Sequence, residues 1–479
     1  MRDRADSGFS DHRMDLQSGD VEPSTAFGHA CTRMLAIGDV LLWAAALIGL
    51  IGLTIPALRP ALQYPILIVA PLSLVFLVFG LSRMTLYTVL GMVGAGALLS
   101  LLVGVSWSET SDALFAMCGI FTFVAVVRLI ELPLLRRHLD IVLAARVSRA
   151  KTTGSMLWPG AFLTYVLALV LSFGAVPVAY RSVRHMFGTE SSVASSAALV
   201  NRSFLTANSV TPMSPPMALA LSVVGLSWIE FLPLGVAVSL VGVALLALGP
   251  KPTGRMVHMP DLPNQGTVRE FVGVLAAIIG LVVLFGVVIP DGGIVVSTVL
   301  SVLIVVPIWE LLTGGGRMFL PRVVALAVNE RRSWRDQYVL LVASALVVAA
   351  AVHWGQDTDV LQRVQAAGVP LILLLALVPP VIAALSLVGV YPMTSLLFVC
   401  AVFPPLGGGT WDLFVVAVAV LGVHIGFLLS PVSGLTLLMA AIANVRSTSV
   451  GLRWNGLFGL AYLIAATIVI IIIAAFMGI

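Results

Sequence analysis

Two polar segments interrupt long apolar stretches, one near the middle of the chain and one near its end. The first covers residues 201–216 and the second 423–436, and each combines hydroxyl or amide side chains with proline or glycine. Neutral oxygens of this kind can hold Na⁺, and their hydroxyl and amide groups can also hydrogen-bond an anion. Aligned without gaps, Asn208 faces Ser430, Ser209 faces Pro431, Thr211 faces Ser433 and Ser214 faces Thr436.

Each polar segment also carries one basic side chain, six residues before its first aligned oxygen. Arg202 precedes Asn208 and His424 precedes Ser430. An arginine within a membrane helix is costly, so Arg202 is a candidate for binding a carboxylate, with a structural salt bridge or snorkelling as the alternatives. Histidine titrates near neutral pH, so His424 either carries a coupled proton or is simply hydrogen-bonded. We assign His424, Asn208 and Ser430 to a predicted ion-coupling group.

The composition indicates a polytopic helical membrane protein. Of the 479 residues, 59% are hydrophobic and 10% are charged, whereas a soluble protein carries about 25% charged residues. The apolar residues occur in runs of roughly 18 or more, the length that crosses the hydrocarbon core of a bilayer. The net charge of +4 does not indicate nucleic-acid binding, because the basic residues flank the apolar runs as they do in membrane proteins.

The motifs give no sign of an enzyme or of a resident metal. The sequence has no His-Glu-x-x-His and no phosphate-binding loop, and its three cysteines, at 31, 118 and 400, are far apart. We therefore expect no cofactor, with Na⁺ as the one candidate ion. The loops 134–156 and 250–269 are too short for an ATPase domain, so an ion gradient or a separate protein must supply energy.

The apolar runs and their flanks predict a topology. Residues 1–34 form a disordered cytoplasmic tail. Arg128 and Glu131 lie three residues apart near the end of a crossing, so we expect them to pair. Eleven crossings are predicted at 36–56, 64–81, 84–106, 112–133, 190–227, 229–249, 270–289, 293–312, 338–353, 413–444 and 456–478.

Two further apolar segments, 157–187 and 369–402, are predicted to be re-entrant hairpins. Basic residues flank the first on both sides, and the flanks of the second are almost free of them. By the positive-inside rule, the first hairpin enters from the cytoplasm and the second from outside. The N-terminus is then cytoplasmic and the C-terminus lies outside.

This topology divides into two inverted repeats. Repeat 1 covers 64–249, with the hairpin 157–187 and the broken helix 190–227. Repeat 2 covers 270–478, with the hairpin 369–402 and the broken helix 413–444. Residues 36–56 are an additional N-terminal crossing, 250–269 a cytoplasmic linker, and 137–151 and 357–367 amphipathic helices that precede the hairpins.

The breaks are the predicted binding site. A helix interrupted within a bilayer frees backbone groups that lipid cannot satisfy, and a half-helix N-terminus attracts anions. The hairpin tips at Gly174 and Gly389 would join them. A proline kink filled by Ser and Thr side chains is the alternative for any single break. The predicted substrate-binding residues are Arg202, Asn208, Ser209, Thr211, Ser430, Ser433, Thr436, Gly174 and Gly389.

This layout resembles the ion transporter superfamily, which includes divalent-anion/sodium symporters, the large subunits of TRAP transporters, and gluconate and arsenite permeases. The segment 426–437 resembles a motif of a bacterial and archaeal branch of that group. The hairpin tips, Gly-Ala-Val-Pro at 174–177 and Gly-Val-Tyr-Pro at 389–392, differ from the Ser-Asn-Thr of the symporters. Sodium ligands therefore cannot be transferred by position.

The resemblance implies an elevator-type secondary transporter of small anions, often a homodimer, in the bacterial inner membrane. We expect a small organic anion as substrate and Na⁺ or H⁺ as the coupling ion. The alternative is the large subunit of a TRAP-like system, which also needs a small membrane subunit and a periplasmic receptor. A channel or a scaffold fits less well, because neither gains from paired polar breaks. A membrane-embedded enzyme fits less well, because no cluster of acids, nucleophile or metal ligands occurs at one depth.

Overall fold

The computed structural model of the chain describes residues 26–149, 157–187, 193–248, 266–289, 293–355, 366–403 and 409–478. Within these ranges the protein is helical and contains no β-strand. Most of the predicted tail, nearly all of the linker 250–269 and most of the second amphipathic helix (357–367) lie outside the described residues. These three predictions therefore stay predictions.

The described part of the first half contains eleven α-helices. They are α1 (Ala26–Thr54), α2 (Arg59–Leu77), α3 (Arg83–Val103), α4 (Trp107–Val127), α5 (Glu131–Arg136), α6 (Leu139–Arg149), α7 (Leu157–Leu171), α8 (Ala175–Phe187), α9 (Val193–Asn208), α10 (Pro215–Val224) and α11 (Trp228–Leu248).

The second half contains nine helices in its described part. They are α12 (Val268–Val288), α13 (Gly293–Leu312), α14 (Phe319–Asn329), α15 (Arg331–Gly355), α16 (Leu371–Leu387), α17 (Pro392–Val402), α18 (Thr410–Leu429), α19 (Gly434–Ala443) and α20 (Trp454–Phe476).

Eleven helical segments of the described chain are long and apolar enough to cross a membrane. Ten of them coincide with predicted crossings, and the eleventh, Trp158–Arg184, is the first predicted hairpin. The predicted crossing 190–227 instead consists of two shorter helices, α9 and α10. The chain is thus a multi-pass helical membrane protein.

Local sequence explains where several of these helices begin and end. Ser106 with Glu109 forms a reciprocal capping box at the start of α4, and Thr267 with Glu270 does so at the start of α12. Helix α3 ends at Gly104 in the left-handed conformation that glycine tolerates best. Membrane helices thus start with polar caps and stop at glycine, as in soluble proteins.

Both predicted hairpins are helical pairs whose arms pack against each other. In hairpin 1 (α7 and α8) the chain turns at Ser172, which has a φ of 47°, and in hairpin 2 (α16 and α17) at Gly389, with a φ of 102°. Such values are unfavourable for residues with a side chain, so the turn at Ser172 stores strain that the surrounding contacts must offset.

The two predicted broken helices are interrupted where proline and glycine occur. Residues 209–214, here called break 1, separate α9 from α10, and residues 430–433, here called break 2, separate α18 from α19. Helix α10 starts with Pro215 and Pro216, which fit the first turn because its N–H groups have no partner within the helix. The breaks at 190–227 and 413–444 are confirmed as interruptions of helix.

The helices can be sorted into two groups, which also contact each other where α15 packs on α17 of hairpin 2 and α13 packs on α10. The first comprises α1–α5 and α12–α15, where α15 packs on α3 and α4, and α1 on α2 and α4. Its core includes the edge-to-face rings of Trp43, Phe121, Trp334 and Tyr338. The second comprises hairpin 1, hairpin 2, α9–α11 and α18–α20. The helix α6 precedes hairpin 1, and its Leu139 and Leu143 are buried, as the amphipathic pattern predicts.

The second group has a crossed arrangement. Within each half, the first arm of the hairpin packs on the first part of the broken helix: α7 on α9 and α16 on α18. Between the halves, α10 packs on α17 of hairpin 2, and α19 packs on α8 of hairpin 1. The final helices of the halves, α11 and α20, also pack together. Each hairpin therefore contacts the broken helix of its own half and the broken helix of the other half.

Candidate functional site

Hydrogen bonds and close packing anchor break 1 to neighbouring elements. Thr211 Oγ1 donates to the carbonyl of Leu169 on α7 at 2.6 Å, and Trp228 Nε1 donates to the carbonyl of Val210 at 2.9 Å. The backbone oxygen of Ser209 lies so close to Gly235 that a Cβ there would come within 2.4 Å of it. The break is therefore anchored to hairpin 1 and to α11, and Gly235 permits the close approach.

Break 2 is closed mainly by its own hydroxyl groups. Ser433 Oγ donates to the carbonyl of Phe427 at 2.6 Å, and Thr436 Oγ1 donates to the carbonyl of Ser430 at 2.5 Å. Ser433 also caps α19 by accepting from the N–H of Thr436 at 3.2 Å. These hydroxyls satisfy carbonyls that the interruption frees, which is the kink-filling alternative for this break.

The two helices that follow the breaks start differently. Prolines 215 and 216 have no N–H, so the first two positions of α10 donate no hydrogen bond. Helix α19 starts with Gly434 and Leu435, whose N–H groups are present. An anion at a helix N-terminus would therefore be held by α19 better than by α10.

Buried polar atoms without a hydrogen-bond partner are concentrated around break 1. Among the described residues they include Asn208 Oδ1, Ser214 Oγ and both amide atoms of Asn201, which lies seven residues before Asn208 on α9. All three side chains are at most 3% exposed. Because nearly all buried polar atoms in proteins are hydrogen-bonded, such exceptions mark places where a ligand or water belongs. Among the described residues, break 1 thus has more unsatisfied buried polar atoms around it than break 2, and in this sense it is the more open of the two.

Ser209 connects break 1 to His424 on α18 and to Tyr462 on α20. Its Oγ lies 3.4 Å from His424 Nδ1 and 3.3 Å from the Tyr462 hydroxyl. The Tyr462 hydroxyl in turn donates to the carbonyl of Val238 on α11 at 3.3 Å. His424 Nε2 is buried and has no partner in the described part of the chain. The predicted ion-coupling residue is therefore joined to break 1, through Ser209.

Arg202 is positioned by the start of α20. Its Nε donates to Asn455 Oδ1 at 3.0 Å, its Nη2 donates to the carbonyl of Trp454 at 2.6 Å, and its guanidinium lies 5.1 Å from the ring of Phe458. No acidic residue of the described chain forms an ion pair with it, which excludes the alternative of a structural salt bridge within these ranges. Arg202 thus carries a positive charge held by neutral groups, and its Nη1 forms no hydrogen bond with the described residues.

A chain of aromatic rings joins the two hairpin tips through α18. Phe173 of hairpin 1 lies 5.3 Å from Phe204 on α9 and 5.4 Å from Phe427 on α18, and Phe427 lies 6.4 Å from Tyr391 of hairpin 2. Phe427 comes three residues before break 2. Residues of both tips therefore contact helices that lead into the breaks.

The two predicted tip glycines lie in different surroundings. Gly389 borders a cleft whose wall also includes Pro431 of break 2 and Ser82 and Thr88 at the start of α3. Gly174 instead packs against the first group, where a Cβ would come within 1.9 Å of Glu131 Oε1. Phe173, rather than Gly174, is the tip residue of hairpin 1 for which ring contacts with α9 and α18 are recorded.

The structure brings most predicted site residues to the two breaks, but it adds others. Asn208, Ser209, Thr211 and His424 gather at break 1, and Ser430, Ser433 and Thr436 form break 2. Sequence reasoning missed several participants. The seven-residue spacing from Asn208 could have indicated Asn201, since such spacing places both on one helix face. No local signal indicated Asn455, Tyr462, Phe173 or Phe427.

Within the described ranges no group of three or more His, Cys, Asp or Glu residues could hold a metal ion. The pairing expected for Arg128 and Glu131 is confirmed, with Nε and Oε1 at 2.9 Å.

No protein-family model and no curated protein matches this sequence. Its structure is similar to the crystal structure of the YdaH transporter of Alcanivorax borkumensis, a protein with an unusual topology. The TM-score is 0.50, with 12% identity over 83% of this chain and 99% of that one. At this identity the similarity establishes a shared fold, and the fold is that of a polytopic helical membrane protein.

Proposed function

We propose that this chain is a secondary active transporter that moves a small organic anion across the cytoplasmic membrane, coupled to Na⁺ or H⁺. The observation that carries the proposal is a set of buried polar atoms around break 1 that have no hydrogen-bond partner among the described residues: Asn208 Oδ1, Ser214 Oγ and the Asn201 amide. A purely structural helix break would satisfy these atoms, as break 2 does with its own hydroxyls.

Arg202 supports an anionic substrate. Its charge has no acidic partner in the described chain, and neutral oxygens of Asn455 and Trp454 orient it. A carboxylate on the substrate would supply the missing counter-charge through the guanidinium N–H groups that remain. Asn208 and Ser209 would then contact the rest of the substrate, with His424 or Na⁺ as the coupling element.

The crossed packing supports two inverted repeats and an elevator-type mechanism. The contacts α7–α9 and α16–α18 are equivalent under the repeat, as are α10–α17 and α19–α8. In the proposed mechanism the second helix group moves against the first, and α6 acts as one of the arms that connect them. The cleft beside Gly389 opens next to the α2–α3 connection, which the proposed topology places in the cytoplasm. The structure would then represent an inward-facing state.

The proposed family is the ion transporter superfamily, and the proposed location is the bacterial inner membrane, with a cytoplasmic N-terminus and an external C-terminus. A homodimer is the proposed assembly. We favour transport by the chain alone over a TRAP-like large subunit, because the residues proposed above to bind the substrate all lie within one polypeptide. The membrane helices of such a subunit would need a receptor and a small subunit to transport.

Reconstitution of the purified chain in liposomes tests the proposal. The assay measures uptake from a panel of radiolabelled mono- and dicarboxylates, with Na⁺ and pH gradients imposed separately. Gradient-driven uptake of one anion by the chain alone is the expected result. Uptake that requires added partner proteins would favour the TRAP-like alternative, and passive ion conduction without saturation would favour a channel.

Transporter activity has the support of the shared fold with a transporter of known structure. An enzyme is not proposed, because Ser209 Oγ and His424 Nδ1 lie 3.4 Å apart, and no carboxylate of the described residues bonds to His424 Nε2 to orient the imidazole as a base.

A further inference from the structure

A second buried polar cluster lies where hairpin 1 meets the first helix group, and the proposed substrate site does not include it. Arg128 Nε donates to Glu131 Oε1 at 2.9 Å, and the guanidinium also forms an ion pair with Glu330. Arg128 is 7% exposed and Glu131 is 4% exposed. The guanidinium lies 4.9 Å from the ring of Trp334, whose Nε1 is buried without a partner among the described residues. Ionisable groups at such positions in membrane proteins are costly and are functional candidates.

The tip of hairpin 1 packs directly on this cluster. Gly174 approaches Glu131 so closely that a Cβ would lie 1.9 Å from Oε1. Ser172, two residues earlier in the same turn, is 3% exposed, and its Oγ has no partner within the described ranges. Glu131 belongs to the first helix group and Ser172 to the second. The carboxylate therefore lies at a contact that must change if the groups move against each other.

The cluster holds more negative than positive charge. One guanidinium, Arg128, pairs with two carboxylates, Glu131 and Glu330. The exposed Arg181 on α8 acts on Glu131 electrostatically, and Arg128 and Glu330 are the other charged groups that do so.

Three other basic residues of the chain pair with other acids. Arg136 and Arg322 pair with Glu310, and Arg137 pairs with Glu270. Glu131 and Glu330 share one close cation. Protonation of the buried Glu131 therefore removes a charge that this cation does not fully compensate, which lowers the free energy of the site.

We propose that Glu131 binds the coupled proton and thereby controls the contact between the tip of hairpin 1 and the first helix group. This inference rests on the proposed transport function and assigns its coupling ion as H⁺. The ionised carboxylate holds Arg128 and lies beside Gly174, immediately before α8 (Ala175–Phe187), where the helix N-terminus attracts a negative charge. Transfer of a proton from hydronium to Glu131 gives a neutral acid and water, leaves Arg128 paired with Glu330, and weakens the hold on the tip.

Thiol labelling at the tip tests the proposal without any substrate. The protein carries Ser172→Cys in a background where Cys31, Cys118 and Cys400 are replaced by Ala, and a membrane-permeant maleimide reports the labelling rate from about pH 5 to about pH 8, the range where coupled protons exchange. The same cysteine with Glu131→Gln serves as the reference at each pH. The labelling rate with Glu131 is divided by the rate with Glu131→Gln. In this ratio the pH dependence of thiol chemistry itself cancels.

The expected ratio is near one at the acidic end and falls about fivefold towards the alkaline end, because only ionised Glu131 restrains the tip. The control Glu310→Gln, which removes a buried acid that pairs with Arg136 and Arg322, leaves the pH profile of the labelling rate unchanged. A ratio that does not depend on pH would overturn the proposal. If Ser172→Cys does not fold, Phe173→Cys gives the same readout from the same turn.

A second arm uses proteoliposomes once a transported anion is known. Glu131→Gln should retain exchange of the anion across the membrane and lose its response to a pH gradient. Uptake by wild-type protein driven by Na⁺ alone, with no effect of pH, would overturn the assignment of the proton while leaving transport itself intact. A failure of the labelling prediction can therefore be distinguished from a failure of the transport prediction.

Discussion

Arg202 on α9 and Asn455 on α20 are joined by a hydrogen bond of 3.0 Å across 253 residues of sequence. Asn455 Nδ2 also donates to the carbonyl of Val450, within the single π-helical turn that precedes α20. In that turn Gly451 lies against the carbonyl of Leu429, the residue before break 2. Arg202 is therefore connected to both breaks: to break 1 through its own helix, and to break 2 through this turn.

Replacing Arg202 tests its role as the anion-binding group. Arg202→Ala should reduce uptake of the anion at least tenfold, since it removes a half-buried cation that has no acidic partner among the described residues. Arg202→Lys keeps the charge but loses the planar fork, so it should raise KM more than it lowers the maximal rate. Proteoliposome uptake with concentration series measures both parameters. Normal KM in Arg202→Ala would exclude contact with the substrate.

Replacing Asn208 separates binding from stability. Because Asn208 Oδ1 is buried without a partner in the described chain, Asn208→Ala should change the free energy of unfolding by less than about 1 kcal/mol. Uptake should nevertheless fall at least tenfold. Thermal unfolding in detergent and uptake in liposomes provide the two measurements. A large loss of stability together with normal KM would show that Asn208 has a structural partner instead.

The two N-cap serines form a matched pair. Ser433 donates to Phe427 and caps α19, whereas Ser214 precedes α10 without a side-chain cap bond. Ser433→Ala should lower the free energy of unfolding by about 1–2 kcal/mol, and Ser214→Ala should lower it far less. Thermal unfolding compares them directly. Equal destabilisation by both substitutions would contradict the assignment of break 2 as the closed one.

Two glycines around break 2 test how tightly hairpin 2 packs on α18. A Cβ at Gly426 would lie 2.5 Å from Ser386 Oγ, whereas a Cβ at Gly434 meets no atom within 4 Å. Gly426→Ala should therefore destabilise the protein by about 1–3 kcal/mol through overpacking. Gly434→Ala should be neutral or slightly stabilising. Expression level and the unfolding temperature distinguish the two variants, and equal tolerance of both would indicate that hairpin 2 is not held at Ser386.

Phe427 should couple the two hairpin tips, because its ring contacts Phe173 and Tyr391. Phe427→Ala should cost about 3–5 kcal/mol and make both tips more accessible to thiol reagents. Phe427→Leu keeps more of the volume and should have a smaller effect. Phe476→Ala is a control, since Phe476 is 88% exposed. An increase in accessibility at one tip only would show that the ring chain does not transmit the contact.

The interruptions of the helices were predictable because proline, glycine and hydroxyl residues are local signals. Pro215, Pro216 and Gly434 occur where α10 and α19 begin. The predicted positions of ten crossings agree with the helices, since apolar length alone determines them.

The partners of the site residues were not predictable, because they depend on packing between distant segments. Arg202 was expected near a substrate or an acid, and its described partners are Asn455 and the carbonyl of Trp454. Gly174 was expected at the substrate site, and it packs on Glu131. Both outcomes follow from where α20 and α5 lie relative to the broken helices and hairpin 1. A single sequence does not contain that information in a local pattern.

The crossed packing of α10 on α17 and of α19 on α8 has a consequence for how the molecule can be divided. A cut between α11 and α12 yields two fragments, and each lacks the partner against which the end of its broken helix must pack. Neither fragment should reach a native state when it is made alone, while the two made together should reassemble by complementation. Folding of the first fragment must accordingly wait for synthesis of α17, which links maturation to completion of the whole polypeptide.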